Sequence, residues 1–305
     1  VSGFHDFRDR NDVYVENTLT AGTLELEGNF CQNGRREAFR ASGSHRTILR
    51  GDGVQAVQME SADSWFNILD LQNDLSEYIF GLVPCWAVLT RNGEPVGDEA
   101  VAAIPYTASV NEKDKTLTIL SWKDESAEIV IPDQLNGYTV TGIGREVFRN
   151  RTSMEGITLP ANLTEIGEAA FRGCTAITGI EFPAALTVIG SNAFRDCTSL
   201  TTVTFSEGST LETIRNSAFE NDKLLESVAI PEGTSKIGEY AFYDCSALKK
   251  VTMPGTVNEM GIQVFRNTAL TTAGPSGSGA DYEFGWTTEI PAYGFDWIDT
   301  LTEIT

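Results

Sequence analysis

A chain of 305 residues with 41% apolar content is long enough to bury one extended core or two, and it lacks the composition of a disordered protein. Its 43 acidic against 22 basic residues leave a net charge of −21 at pH 7, which repels phosphate backbones and anionic lipid and so argues against nucleic acid and membrane partners. The longest apolar run, residues 78–90, falls short of the roughly 20 residues that a transmembrane helix needs.

The first third, residues 1–105, contains no lysine, whereas Lys113, Lys115 and Lys123 follow soon after. Strand-like stretches recur at residues 23–30, 46–50, 54–60 and 66–72, separated by Gly, Asn, Asp and Ser. That pattern predicts an all-β unit over 1–105, either β-helix-like or a β-sandwich. The run Leu19-Thr20-Ala21-Gly22-Thr23-Leu24-Glu25-Leu26, with Gly53-Val54-Gln55-Ala56-Val57 further on, resembles the short coils of bacterial β-helical adhesins.

Four features of this third bear on chemistry. Gly51-Asp52-Gly53-Val54-Gln55-Ala56 loosely matches a dinucleotide fingerprint, but a strand pattern follows it where a helix N-terminus is required, so a hairpin turn is expected. Arg50-Gly51-Asp52 spells an integrin-type tripeptide; its surroundings predict a tight turn rather than an extended loop tip. Arg35, Arg36, Arg40, Arg46 and Arg50, with Phe39 and His45 among them, form the one basic concentration and read as a solvated sheet face. The two histidines, His5 and His45, have no Cys or His neighbour at metal spacing, and no catalytic arrangement assembles around them. No catalytic residue, metal site or cofactor is predicted.

Residues 106–126 read as a connecting strand pair, with Thr116–Trp122 the clearer member, and the first repeat strand is expected at residues 129–131. From there to the end, over 127–305, the chain repeats. Phe148, Phe171, Phe194, Phe219, Phe242, Phe265 and Phe295 stand 23, 23, 25, 23, 23 and 30 residues apart. A fixed period of this size marks a solenoid, because so short a unit buries its apolar face only against its neighbours. Around Phe242 the unit reads Leu225, Val228, Ile230, Pro231, Ile237, Gly238, Ala241, Phe242, Cys245; around Phe194 it reads Ile177, Ile180, Phe182, Pro183, Leu186, Ile189, Gly190, Ala193, Phe194, Cys197. The first half alternates as a strand closed by proline, and the second turns through glycine into a bend carrying the aromatic. Stacked coils should place the rings about 5 Å apart in a ladder.

This unit resembles the repeat of the bacterial BspA-like (Treponema-type) leucine-rich repeat surface proteins, through the recurring Ile-Gly-x-x-Ala-Phe-x-x-Cys segment. The resemblance implies a mainly β, right-handed leucine-rich repeat solenoid of 23-residue coils. It also implies a secreted or cell-surface bacterial location and a non-catalytic, adhesive role. Departures are visible. Arg151, Asp222 and Thr268 replace the cysteine of other coils, the coil before Phe219 gains two residues within 206–209, and a Gly/Ser-rich insertion covers 274–280. The chain opens on Val1 without a signal-peptide pattern and stops inside a repeat strand, which predicts a piece of a longer protein.

Cys174, Cys197 and Cys245 share one interior position of the coil, and side chains stacked in register point the same way, so free thiols are expected rather than a disulfide. Along each strand Ile157, Ile180, Val203, Val228 and Val251 should face inward. The following residues, Thr158, Glu181, Thr204, Ala229 and Thr252, then form an outward stripe of mostly small or β-branched side chains. That stripe is the candidate recognition surface, for a host or bacterial surface protein or a glycan. A carbohydrate-processing module built on the N-terminal unit and a structural spacer are the alternatives.

Overall fold

The computed structural model describes residues 5–6, 21–32, 39, 41–59, 64–81, 85–286, 290–296 and 298–304. It divides into two compact units, one formed by 1–123 with 134–138 and the other by 124–133 with 139–305. Among the described residues, no helix is long and apolar enough to cross a membrane.

The first unit is a coil of parallel strands. Thr23–Leu26, Arg46–Leu49, Phe66–Leu71 and Trp86–Arg91 pair in that order in one sheet, and Phe30–Gln32, Gln55–Met59 and Tyr78–Phe80 pair in a second. Every one of these pairings is parallel. A sandwich is built from antiparallel strands, so of the two all-β readings the β-helical one holds. Inward residues of both sheets meet in one core, where Phe30, Phe39 and Phe66 pack edge to face with centroids 4.7–5.2 Å apart. Tyr106–Asn111 and Thr116–Trp122 form an antiparallel pair within this same unit.

Two local expectations change here. The stretch 23–30 is not one strand: it ends at Leu26, turns, and resumes at Phe30 in the other sheet. Residues 51–56 are not a hairpin turn either. They form a corner between Arg46–Leu49 and Gln55–Met59, which lie in different sheets and each pair with neighbouring coils. The corner needs glycine for contact at Gly51, where a Cβ would sit 2.1 Å from the Glu27 carbonyl oxygen, and for conformation at Gly53, whose φ is +110°. Gly51 is buried and Arg50 pairs with Glu25 at 2.9 Å, so the Arg50-Gly51-Asp52 triplet is not an extended loop tip. Of the basic cluster, Arg35, Arg36 and Arg40 lie outside the described residues, while Arg46 and Arg50 are paired with Asp70 and with Glu25 and Glu27.

The second unit is the leucine-rich repeat solenoid, and each coil has three sides. The first carries the strands Glu128–Val130, Gly156–Thr158, Gly179–Phe182, Thr202–Phe205, Ser227–Ala229 and Lys250–Met253, in parallel register where they pair. The second side was expected only as a glycine turn, yet it is a sheet of two-residue strands. Ile166, Ile189, Ile214, Ile237 and Met260 stack in register along it. A glycine with ordinary backbone follows directly in four of these coils, at Gly167, Gly190, Gly238 and Gly261, and Arg215 stands there in the fifth. The role of the glycine is close approach, because a Cβ on Gly190 would stand 2.6 Å from the backbone of the coil below.

The third side turns the chain through left-handed residues, two per coil. They are Asn192 and Asp196 in one coil and Ser217 and Asn221 in the next. Asn and Asp tolerate this region best among side-chain-bearing residues. Between the two left-handed positions sits the ladder phenylalanine, whose N–H donates to the next coil, as Phe171 does to the Ala193 carbonyl at 2.8 Å. Rings Phe148 to Phe265 stack with centroids 4.9–5.5 Å apart and planes within 11° of parallel. Arg151, standing in for cysteine in the first coil, lays its guanidinium 5.2 Å from the Phe148 ring centre and so covers one end of the ladder.

Phe295 does not continue the stack. Past Phe265 the next ring is Tyr282, at 5.3 Å and tilted by 56°. The inserted segment moves Tyr282–Phe284 beside Lys250–Met253, and Phe295 meets Tyr282, Phe284 and Trp286 edge-on instead. The 30-residue spacing before Phe295 is the mark of that displacement.

Candidate binding surface

The pleat of the strand side separates the two residue sets as alternation requires. Ile180, Val203, Val228 and Val251 are buried and Ile157 is half-buried, whereas Thr158, Glu181, Thr204 and Ala229 are exposed and Thr252 is half-buried. Where the strands pair, the stripe stays in register: Val130 stands beside Thr158, Glu181 beside Thr204, and Ala229 beside Thr252.

Two open clefts lie on this face. One, of about 370 Å³, is lined by Thr158 and Glu181 with Asp133, Pro183 and Ser206. The other, of about 430 Å³, is lined by Thr204 and Ala229 with Ile230, Pro231 and Glu232. Ser206 borders both, and its Oγ donates to Glu181 Oε1 at 3.3 Å. Gly208 and Ser209 also line the larger cleft. The two residues gained by this coil therefore build one wall of it, a role that spacing alone does not reveal. Four of the five stripe residues are thus brought together, and Thr252 lies one strand beyond them.

The cysteine column faces away from any such site. All five cysteines are buried, and Cys85, Cys174, Cys197 and Cys245 are free thiols. Cys174, Cys197 and Cys245 donate their thiol hydrogens to the carbonyls of Phe148, Phe171 and Phe219 at 3.0, 3.2 and 3.1 Å. They therefore tie the ladder coil to coil besides filling space. Burial pushes the Cys174 thiol up to about 12 and those of Cys197 and Cys245 well above the ordinary range. Because the thiolate is the reactive species, these thiols should resist alkylation in the native state and react once unfolded. Mass spectrometry after native and denaturing alkylation checks this, and fast native labelling of all three would contradict it.

His45 is buried too, with Nδ1 3.3 Å from the Ala21 carbonyl. It is a core residue of the first unit.

Comparison with known proteins agrees with this architecture. The pattern of the BspA type leucine rich repeat region matches residues 141–272 in six copies. Among solved structures, the chain is similar to a leucine-rich repeat protein of T. pallidum, at 25% identity over 54% of this chain and 87% of that one, with a TM-score of 0.49. It is also similar to a leucine rich cell surface protein from Faecalibacterium prausnitzii, at 18% identity over 66% and 93% of the two chains, with a TM-score of 0.34. The pneumococcal vaccine antigen PcpA matches at 18% identity over 85% of this chain and 65% of its own, with a TM-score of 0.43. No curated protein matches the sequence. With the repeat pattern matched and the coils stacked in register, residues 141–272 are a BspA-type leucine-rich repeat region.

Proposed function

We propose that this is a non-catalytic binding protein, secreted or displayed on a bacterial surface, that recognises a protein or glycan through the outward face of its repeat strands. One observation carries the reading: Thr158, Glu181, Thr204 and Ala229, chosen by strand alternation alone, line the two adjoining clefts of that face. Repeating coils hold such side chains on a rigid backbone, so a partner meets a surface that needs little ordering on binding. The type of repeat supports the surface location.

The triple variant Thr158→Arg, Thr204→Arg, Thr252→Arg tests it. Outward threonines contribute little to folding, within about 0.5 kcal/mol each, so the melting point should stay near that of the parent. Three bulky charges across the face should abolish capture on immobilised host matrix proteins and glycans. A folded variant that binds as tightly as the parent would remove this face from the account, and a parent that captures nothing would favour the spacer.

A further inference from the structure

The strand side of the repeat unit is not one sheet. Its strands pair two by two: Glu128–Val130 with Gly156–Thr158, Gly179–Phe182 with Thr202–Phe205, and Ser227–Ala229 with Lys250–Met253. Between the first and second couples the strands of consecutive coils belong to separate sheets. Between the second and third the ladder is reduced to Thr202 beside Ser227. Side chains tie the same couples together. Asp133 Oδ1 accepts the Ala161 N–H at 2.7 Å, Ser206 Oγ donates to Glu181 at 3.3 Å, and Lys249 Nζ donates to Glu226 at 2.7 Å.

Both clefts lie at the seams between couples. Thr158 and Glu181 flank the first, and Phe205 and Ile230 flank the second. Core residues come partly to the surface at the same places. Ile157 and Leu159 beside the first seam and Phe205 beside the second are half-buried, while the matching Ile180, Phe182, Val251 and Met253 are buried. The second seam also falls where the coil gains two residues within 206–209.

Across these seams the other two sides of the coil are closed. On the second side Glu165, Val188, Thr213, Lys236 and Glu259 pair in unbroken succession. On the turn side the Phe171 and Phe194 rings stack at 4.9 Å and the Phe219 and Phe242 rings at 5.1 Å. Phe171 and Phe219 there donate their N–H groups to the next coil at 2.8 Å. A hydrogen-bonded ladder resists separation of its strands, whereas strands without one part easily.

We infer that the repeat unit is jointed: its strand side opens and closes at the two seams, with the second side as the hinge. The clefts then widen and narrow with their seams while the opposite side keeps its length, the geometry of a groove that closes on what it holds. The inference does not rest on which partner the face takes.

Spin labels test the motion. The pair Thr158→Cys, Thr252→Cys on the strand side and the pair Glu165→Cys, Glu259→Cys on the second side span the same four coil steps, about 19 Å. The parent, whose cysteines are all buried, is the labelling blank. Double electron–electron resonance should give a distance distribution about twice as wide on the strand side as on the second side. Equal widths would overturn the inference, since a stiff stack narrows both and general looseness widens both. Backbone direction supplies a second measurement. Thr202 and Ser206 donate their N–H groups to the Thr178 and Phe182 carbonyls. By alternation the Thr204 N–H points the same way, into a paired ladder, and the Glu181 N–H points across the first seam. Amide exchange followed by nuclear magnetic resonance, corrected for intrinsic rates, should be at least about tenfold faster at Glu181 than at Thr204. Equal protection of the two amides would mean a closed seam and would likewise overturn the inference.

Discussion

Replacing Phe194 by alanine should destabilise the repeat region by about 3–5 kcal/mol, the cost of emptying a large buried aromatic site. Its ring is fully buried, stacks on Phe171 at 4.9 Å and on Phe219 at 5.4 Å, and takes the edge of Phe182 at 5.4 Å. Collapse of the site is opposed by the backbone, because Phe194 N–H donates to the Ala218 carbonyl at 2.8 Å and holds the turn in place. Solenoids couple mainly nearest neighbours, so the loss should separate the unfolding of coils on either side rather than lower one transition uniformly. Urea titration followed by circular dichroism and by tryptophan emission would reveal the split. The half-buried Phe205 is the internal control, since truncation there should cost distinctly less. A single transition at the parent's midpoint for Phe194→Ala would contradict the ladder's role in stability.

A second large effect is expected at Asp222, which occupies the cysteine position of its coil and is fully buried. Its Oδ1 accepts the Cys197 N–H at 2.8 Å, but Oδ2 has no hydrogen-bond partner among the described residues. Burial raises the carboxyl well above its ordinary range, and the nearby Asp196 adds to the shift. The neutral acid is the form that suits the column, because nothing bonded to Oδ2 compensates a buried charge. A folded-state value above the unfolded one means that the unfolded chain ionises first. Stability is therefore fullest below about pH 4 for this group and falls as pH rises from there towards the folded value. Asp222→Cys should accordingly stabilise the protein at pH 7 by about 1–3 kcal/mol, the cost of a buried polar group left without a partner. Asp222→Asn should remove the same pH dependence while keeping the acceptor for Cys197. Stability curves of parent and Asp222→Cys that run parallel from pH 4 to pH 8 would disprove the assignment.

Much of this architecture is written in local pattern. The spacing of Phe148 to Phe265 requires coils stacked one per ring, and the rings are found 4.9–5.5 Å apart, close to the strand separation that stacking dictates. The stripe from Thr158 to Thr252 is legible for the same reason, because a pleated strand sends alternate side chains to opposite faces whatever lies around it. Left-handed turn positions were less visible. Ala169, Ser217 and Tyr240 adopt them without being glycine, held there by the hydrogen bonds that their N–H groups donate to the neighbouring coil. The second sheet was hidden by its length: pairs such as Val188–Ile189 are too short to show alternation.

What the sequence by itself determined is the repeating coil, its aromatic core and the side of each strand that meets solvent, since these follow from period and alternation within one unit. Only the tertiary structure decided which strands become neighbours. Parallel coiling of the first unit, the replacement of Phe295 by Tyr282 next to Phe265, and the cleft walled by Ser206, Gly208 and Ser209 all depend on contacts between residues distant in the chain. A strand carries the same alternation in a sandwich as in a coil, and an inserted residue shows its length but not the direction in which it is pushed. Stacking against the adjacent coil supplies that direction, because each 23-residue unit buries its apolar face only against the next.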